Sequence, residues 1–181
     1  MERQLTVDVR LGRASADEAW VVTTVSSADV APVPGVRSPV AEEVLVNPDI
    51  RPPEPAVRDI EESRIDESVL RLLQGLGSEH VIDVHVLYSG HPTKVSATGR
   101  PSNHSVGRAV DIWRVDGHLV VDPGTPRELL ETVMLRAGQL GATEVGGPFD
   151  LNGERPRFFT DVVHADHLHL GVTEGRSPAV P

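Results

Sequence analysis

The 181-residue chain has no cysteine, which removes disulfide frameworks, thiolate metal sites and thiol nucleophiles together. Any metal must sit on histidine and carboxylate. Aromatic residues make up only 3% of the chain against 39% hydrophobic, so a core has to be built mainly from Val, Leu, Ile and Ala. Positive charge is also short. Lys plus Arg is 17 against 27 for Asp plus Glu, a formal net charge of −10, and the resulting field repels nucleic acid and anionic membranes. Sixteen of the 17 cations are Arg, a bias that points to a GC-rich, bacterial source. No run approaches the ~20 apolar residues of a transmembrane helix, so no integral membrane segment is expected. Met1 to Ser15 is interrupted by Glu2, Arg3, Asp8, Arg10 and Arg13, unlike a signal peptide, and localisation stays open.

What is present divides the chain in two. Residues 1–30 hold two β-like runs, Gln4 to Val9 and Trp20 to Val25, able to form a small hairpin. From Ala31 to Ala56 stand seven of the fifteen prolines, a composition that reads as an extended linker. The expected organisation is therefore an N-terminal extension and Pro-rich linker over 1–56 and a folded domain over 57–175. In that domain Ile60, Ile65, Val69, Leu72, Leu73 and Leu76 form one stripe, predicting an amphipathic helix over Asp59 to Gln74 that ends at Gly75 and Gly77. Strands are expected at Val81 to Tyr88, Ala109 to Val115, His118 to Val121, Thr143 to Gly146 and Asp166 to Val172. The Asp116-Gly117 pair is a hairpin turn. Thr125-Pro126-Arg127-Glu128 has a capping-box form opening a second helix, which stops at Gly141. The fold class is α+β.

Two clusters carry chemistry. His104 and Asp111 bracket Gly107 at the mouth of a strand, so a loop imidazole and a strand carboxylate can meet at one ion. His167 and His169, two apart, share one face of the last strand. Three ligands and an open position characterise a catalytic zinc site, and His104, Asp111 and His169 would make such a set. Asp166 and His167 flank the same spot, where a base is needed. The remaining histidines carry less information: His80, His85 and His118 read as surface or core residues, while His91, in the loop expected to border the cleft, and His164, five before His169, read as solvated loop residues with a site role as the alternative. Trp113 and Phe158-Phe159 read as packing residues.

The segment Ser102 to Asp111 fits the pattern S-x-H-x-x-G-x-A-x-D and resembles the first motif of the D-alanyl-D-alanine carboxypeptidase family of zinc peptidases. The wider group includes murein endopeptidases, lysostaphin-type enzymes and the hedgehog domain. Asp166-His167-Leu168-His169 resembles the second motif. A chance match at five fixed positions is on the order of 10⁻⁴ per chain, so the first motif is specific. The resemblance covers about residues 85–172. It implies a hedgehog/DD-peptidase-like α+β domain with a small antiparallel sheet flanked by helices. It also implies Zn2+ on His104, Asp111 and His169, Asp166 as general base and His167 as oxyanion stabiliser. The expected activity is that of a zinc metallopeptidase, a hydrolase of the carboxypeptidase or endopeptidase type, with peptidoglycan stem peptides of the cell wall as substrate. The alternative is a module of the same fold that keeps the metal without catalysis. The chain departs from its relatives where they carry Ser-Gly-Tyr-Arg: here stands Ser89-Gly90-His91-Pro92, and proline cannot hold a carboxylate as a guanidinium does.

Overall fold

The computed structural model describes residues 8–13, 15, 17, 19–26, 37–95, 98–153 and 155–173. The expected N-terminal hairpin is present, its second strand within one residue of the run Trp20 to Val25. Strand β1 (Asp8–Gly12) pairs antiparallel with β2 (Val21–Ser26), and residues 4–7 of the first predicted run lie outside the described residues.

The Pro-rich segment is not a linker over its described part. Pro39 sits at the start of helix α1 (Pro39–Val46), where a missing N–H costs nothing, and the Ser38 hydroxyl caps the helix by accepting from Ala41 N. Strand β3 (Ile50–Arg51) follows, then α2 (Glu54–Glu61) with Pro55 in its first turn. Val40, Ala41, Val44, Ile50 and Ala56 are buried in the main core. The expected boundary at 56/57 falls inside α2, and residues 37–56 are part of the folded body. Proline density misled here because prolines at helix starts and loops are compatible with regular structure on either side.

The single helix expected over 59–74 is two. After α2 the chain turns at Ser63, which has a φ of 55°, and helix α3 (Glu67–Gly77) restarts at an Asp66 cap whose carboxylate accepts from Ser68 N at 2.9 Å. Leu72, Leu73 and Leu76 of α3 are fully buried, each contributing about 1.5–3 kcal/mol. Strand β4 (Ile82–Val86) leads to a loop and a single 3-10 turn (Asn103–Val106). Strands β5 (Ala109–Val115) and β6 (His118–Leu119) follow, joined by the Asp116-Gly117 turn. Helix α4 (Arg127–Gln139) lacks the expected cap: Thr125 Oγ1 instead donates to the Leu119 carbonyl at 2.6 Å. Strands β7 (Glu144–Gly146), β8 (Phe158–Phe159) and β9 (Leu168–Gly171) complete the fold.

The main sheet runs β3-β4-β5-β9-β7-β8, with β6 paired to β5. It is mixed rather than antiparallel, because β3 pairs parallel with β4 and β7 with β8, while the central pairs are antiparallel. Val110, Ile112, Leu168 and Leu170 join the helices in one core cluster, so the alternate positions Asp111 and His169, directly paired, face the other way. Among the described residues no helix is long and apolar enough to cross a membrane. Trp113 is 37% exposed rather than packed inside, because it stands two residues after Asp111 on β5, on the face opposite Val110 and Ile112.

Candidate metal centre

His104 lies in the 3-10 turn that the first motif builds. Ser102 caps this turn by accepting from His104 N at 3.3 Å, and Gly107 ends it with a φ of 70°. A Cβ at Gly107 would lie 1.9 Å from the Arg64 carbonyl oxygen, so only glycine fits against the break between α2 and α3. The Gly107 carbonyl accepts from Asp66 N at 2.9 Å, tying the motif to the start of α3.

The His104 ring is fully buried, and its Nδ1–H donates to the Leu87 carbonyl. A carbonyl only accepts, so in the neutral ring Nε2 offers a lone pair. That Nε2 stands 3.1 Å from Asp111 Oδ1 and 3.3 Å from His169 Nδ1, and His169 Nδ1 is 2.9 Å from the same Asp111 oxygen. Three side chains separated by up to 65 positions thus meet at one buried point.

Two further imidazoles border it. His91 stacks on His104 with ring centroids 3.8 Å apart; its Nδ1–H donates to the Pro92 carbonyl, and its Nε2 is 3.8 Å from Asp111 Oδ2. His91, His104 and Asp111 form a cluster able to hold a metal ion, with ligand atoms within 4.8 Å of one another. His91 is therefore more than a loop residue. Asp59, invisible to motif reading, sets its position: this buried carboxylate of α2 accepts from Tyr88 N, Ser89 N and Ser89 Oγ, and so holds the turn that presents His91. His167 Nε2 lies 3.7 Å from Asp111 Oδ1, while its Nδ1–H donates to Asp166 Oδ1 at 2.6 Å. Asp166 itself is outside the buried group, with its side chain 66% exposed. His164 makes its own pair with Asp161 at 2.7 Å and lies edge-on to Phe159, their centroids 4.9 Å apart. His80 pairs with Asp116 at 2.8 Å, and His85 and His118 are exposed.

The electrostatics call for positive charge. Burial pushes the Asp111 carboxyl up, but His104 and the hydrogen bonds from His104 and His169 outweigh it and hold the group well below the ordinary carboxylate range. Burial depresses His169, yet Asp111 and Glu144 together raise it to about 9. His91 is lowered to about 3 by burial and by His104 beside it. The same carboxylates that favour a proton on His169 favour a bound cation, and the two compete for its ring nitrogen.

Comparison with protein-family models, with curated proteins and with solved structures finds no match.

Proposed function

We propose that the chain is a zinc-dependent metallopeptidase of hedgehog/DD-peptidase-like fold that hydrolyses peptide bonds in peptidoglycan stem peptides. The observation that carries the reading is the triangle of ligand atoms on His104, Asp111 and His169, with edges of 2.9, 3.1 and 3.3 Å. Tetrahedral ligands about 2.0–2.1 Å from a zinc ion lie about 3.3 Å from one another, so these residues fit the ion closely. A bound zinc ion supplies Lewis acidity toward a peptide carbonyl and lowers the pKa of a water in its open position to about 7.

The chain's own residues supply the proton handling. Asp166 keeps one carboxylate oxygen clear of His167, and its exposure lets it reach a proton on the incoming water and return it to the leaving amine. Its other oxygen holds the His167 ring by Nδ1–H, directing Nε2 toward the cluster. In the imidazolium form this Nε2–H donates to the oxyanion that develops on the substrate carbonyl. Burial of His104 and Asp111 keeps bulk water from the ligands.

A second reading, a zinc-holding module without catalysis, draws on His91. A fourth protein ligand closes a metal site, and His91 brings another imidazole lone pair beside Asp111 where the family that the motifs resemble carries a substrate-binding segment. Incubation with defined muropeptides, with and without chelator and read by mass spectrometry, separates the two. Chelator-sensitive cleavage is the expected result. Stoichiometric zinc without any cleavage across the panel favours the module, and a chain that takes up no zinc refutes both.

A further inference from the structure

Glu144 is the acidic residue beside the cluster to which the motifs assign nothing. The register of β7 against β9 sets Glu144 opposite Gly171 and Gly146 opposite His169, which makes Glu144 and His169 diagonal neighbours on one face. The carboxylate is anchored: Asn103 Nδ2 donates to its Oε2 at 2.8 Å, and Thr173 Oγ1 donates to its Oε1 at 3.3 Å. Held in this way, Oε2 faces His169 Nε2 at 3.9 Å, longer than a hydrogen bond, so that it acts on the ring as a fixed negative charge. All three groups close on one glycine. A Cβ at Gly171 would lie 3.1 Å from Asn103 Nδ2, 3.2 Å from His169 Nε2 and 3.3 Å from Glu144 Cβ, so a side chain there would press on all three groups at once.

We infer that Glu144, anchored by Asn103, is a positioning residue that keeps the proton of His169 on Nε2, so that Nδ1 presents its lone pair beside Asp111. The inference rests on the reading of His169 as a metal ligand. A carboxylate on the far nitrogen of a ligating imidazole sets its tautomer and orientation and raises its basicity. The two histidine ligands are thus oriented differently. His104 is aimed by the backbone carbonyl of Leu87, which no substitution removes, whereas His169 depends on a side chain.

The test compares the full-length parent with Glu144→Ala and Glu144→Gln. Zinc dissociation constants are measured by chelator competition, thermal unfolding is followed on each metal-free protein, and the Nε2–H signal of His169 is observed by NMR in the zinc-loaded form. Glu144→Ala should weaken zinc by about 10- to 100-fold with little change in metal-free melting. Glu144→Gln, whose amide oxygen keeps part of the negative charge, should recover part of that loss. The Nε2–H signal should be protected from exchange in the parent and in Glu144→Gln, and lost in Glu144→Ala. Parental zinc affinity in Glu144→Ala overturns the inference, and so does a protected Nε2–H signal in that variant, whatever its melting temperature. A parent that binds no zinc refutes the proposed function instead, so the two failures are distinguishable.

Discussion

Removing the Asp59 carboxylate should destabilise the protein more than any surface change, although the residue lies in no motif. It is 1% exposed on α2, and it takes three hydrogen bonds from the loop after β4: Tyr88 N at 3.1 Å, Ser89 N at 2.8 Å and Ser89 Oγ at 2.6 Å. In Asp59→Ala the Ser89 hydroxyl can rotate to another acceptor, but the two backbone N–H groups cannot. Each buried donor left unpaired costs about 1–3 kcal/mol, so the loss is about 2–6 kcal/mol, a large share of a domain's net stability of roughly 5–15 kcal/mol. Asp59→Asn keeps one oxygen for both N–H groups and turns its amide toward the hydroxyl, which should reduce the loss to about 1–2 kcal/mol. Urea unfolding in chelator, extrapolated linearly with the slope checked for constancy, measures both. Because the same turn carries His91, the Ala variant should also bind metal more weakly. An Ala variant within 1 kcal/mol of the parent, or an Asn variant as damaged as Ala, refutes this account of the loop.

Asp166→Asn should retain zinc and lose about 10²- to 10⁴-fold in turnover, whereas His169→Ala should lose metal and activity together; zinc release from Asp166→Asn, read by metal analysis, would make Asp166 a ligand instead. Gly107→Ala combines a φ of 70° with a Cβ placed 1.9 Å from the Arg64 carbonyl, so it should unfold at markedly lower temperature and bind metal poorly, which a melting curve with and without zinc reads out. Deleting residues 1–55 removes Val40, Ala41, Val44 and Ile50 from the core, so the truncated chain should lose cooperative melting; a sharp transition would show that α1 and β3 are dispensable. At the Asp66 cap, burial pushes the carboxyl up, but hydrogen bonds from Ser68 and the charge of Arg108 outweigh it and leave the group below the ordinary carboxylate range. Its contribution is therefore fully present above pH ~4 and is lost as pH falls through the depressed folded value. Asp66→Asn should flatten that acid limb in pH-dependent unfolding.

How much of this was legible depends on the range of the interaction that decided it. Strand β5 was predicted with its observed bounds, Ala109 to Val115, because alternation and β-branching act within a few residues, and the Asp116-Gly117 turn was legible for the same reason. The meeting of Asp111 and His169 on one strand face also follows from a period of two once their strands pair. Local pattern failed where a distant group intervened. Ile65 to Leu76 share one helical face, but Ile60 stands about 140° away from Ile65 on a continuous helix, so the pattern changes phase where the chain turns at Ser63, and the Gly107 turn, some forty residues downstream in the chain, packs against that break. The seven prolines suggested a linker because proline's local effect is legible, whereas the parallel pairing of Ile50 with Ile82 that builds the segment into the sheet is not.

What the sequence alone determined is the chemistry available: no thiols, an aliphatic core, and histidines and carboxylates at spacings that a 3-10 turn and a strand can bring to one point. Tertiary structure alone decided which other groups surround that point. His91 stacks on His104 because Asp59, about thirty positions earlier, ties down its turn, and Glu144 faces His169 because Asn103, 41 positions away, holds it. The physical reason is that a hydrogen bond between distant segments leaves no periodic trace in either. It depends on a register and a close approach that arise only when the sheet and helices have packed.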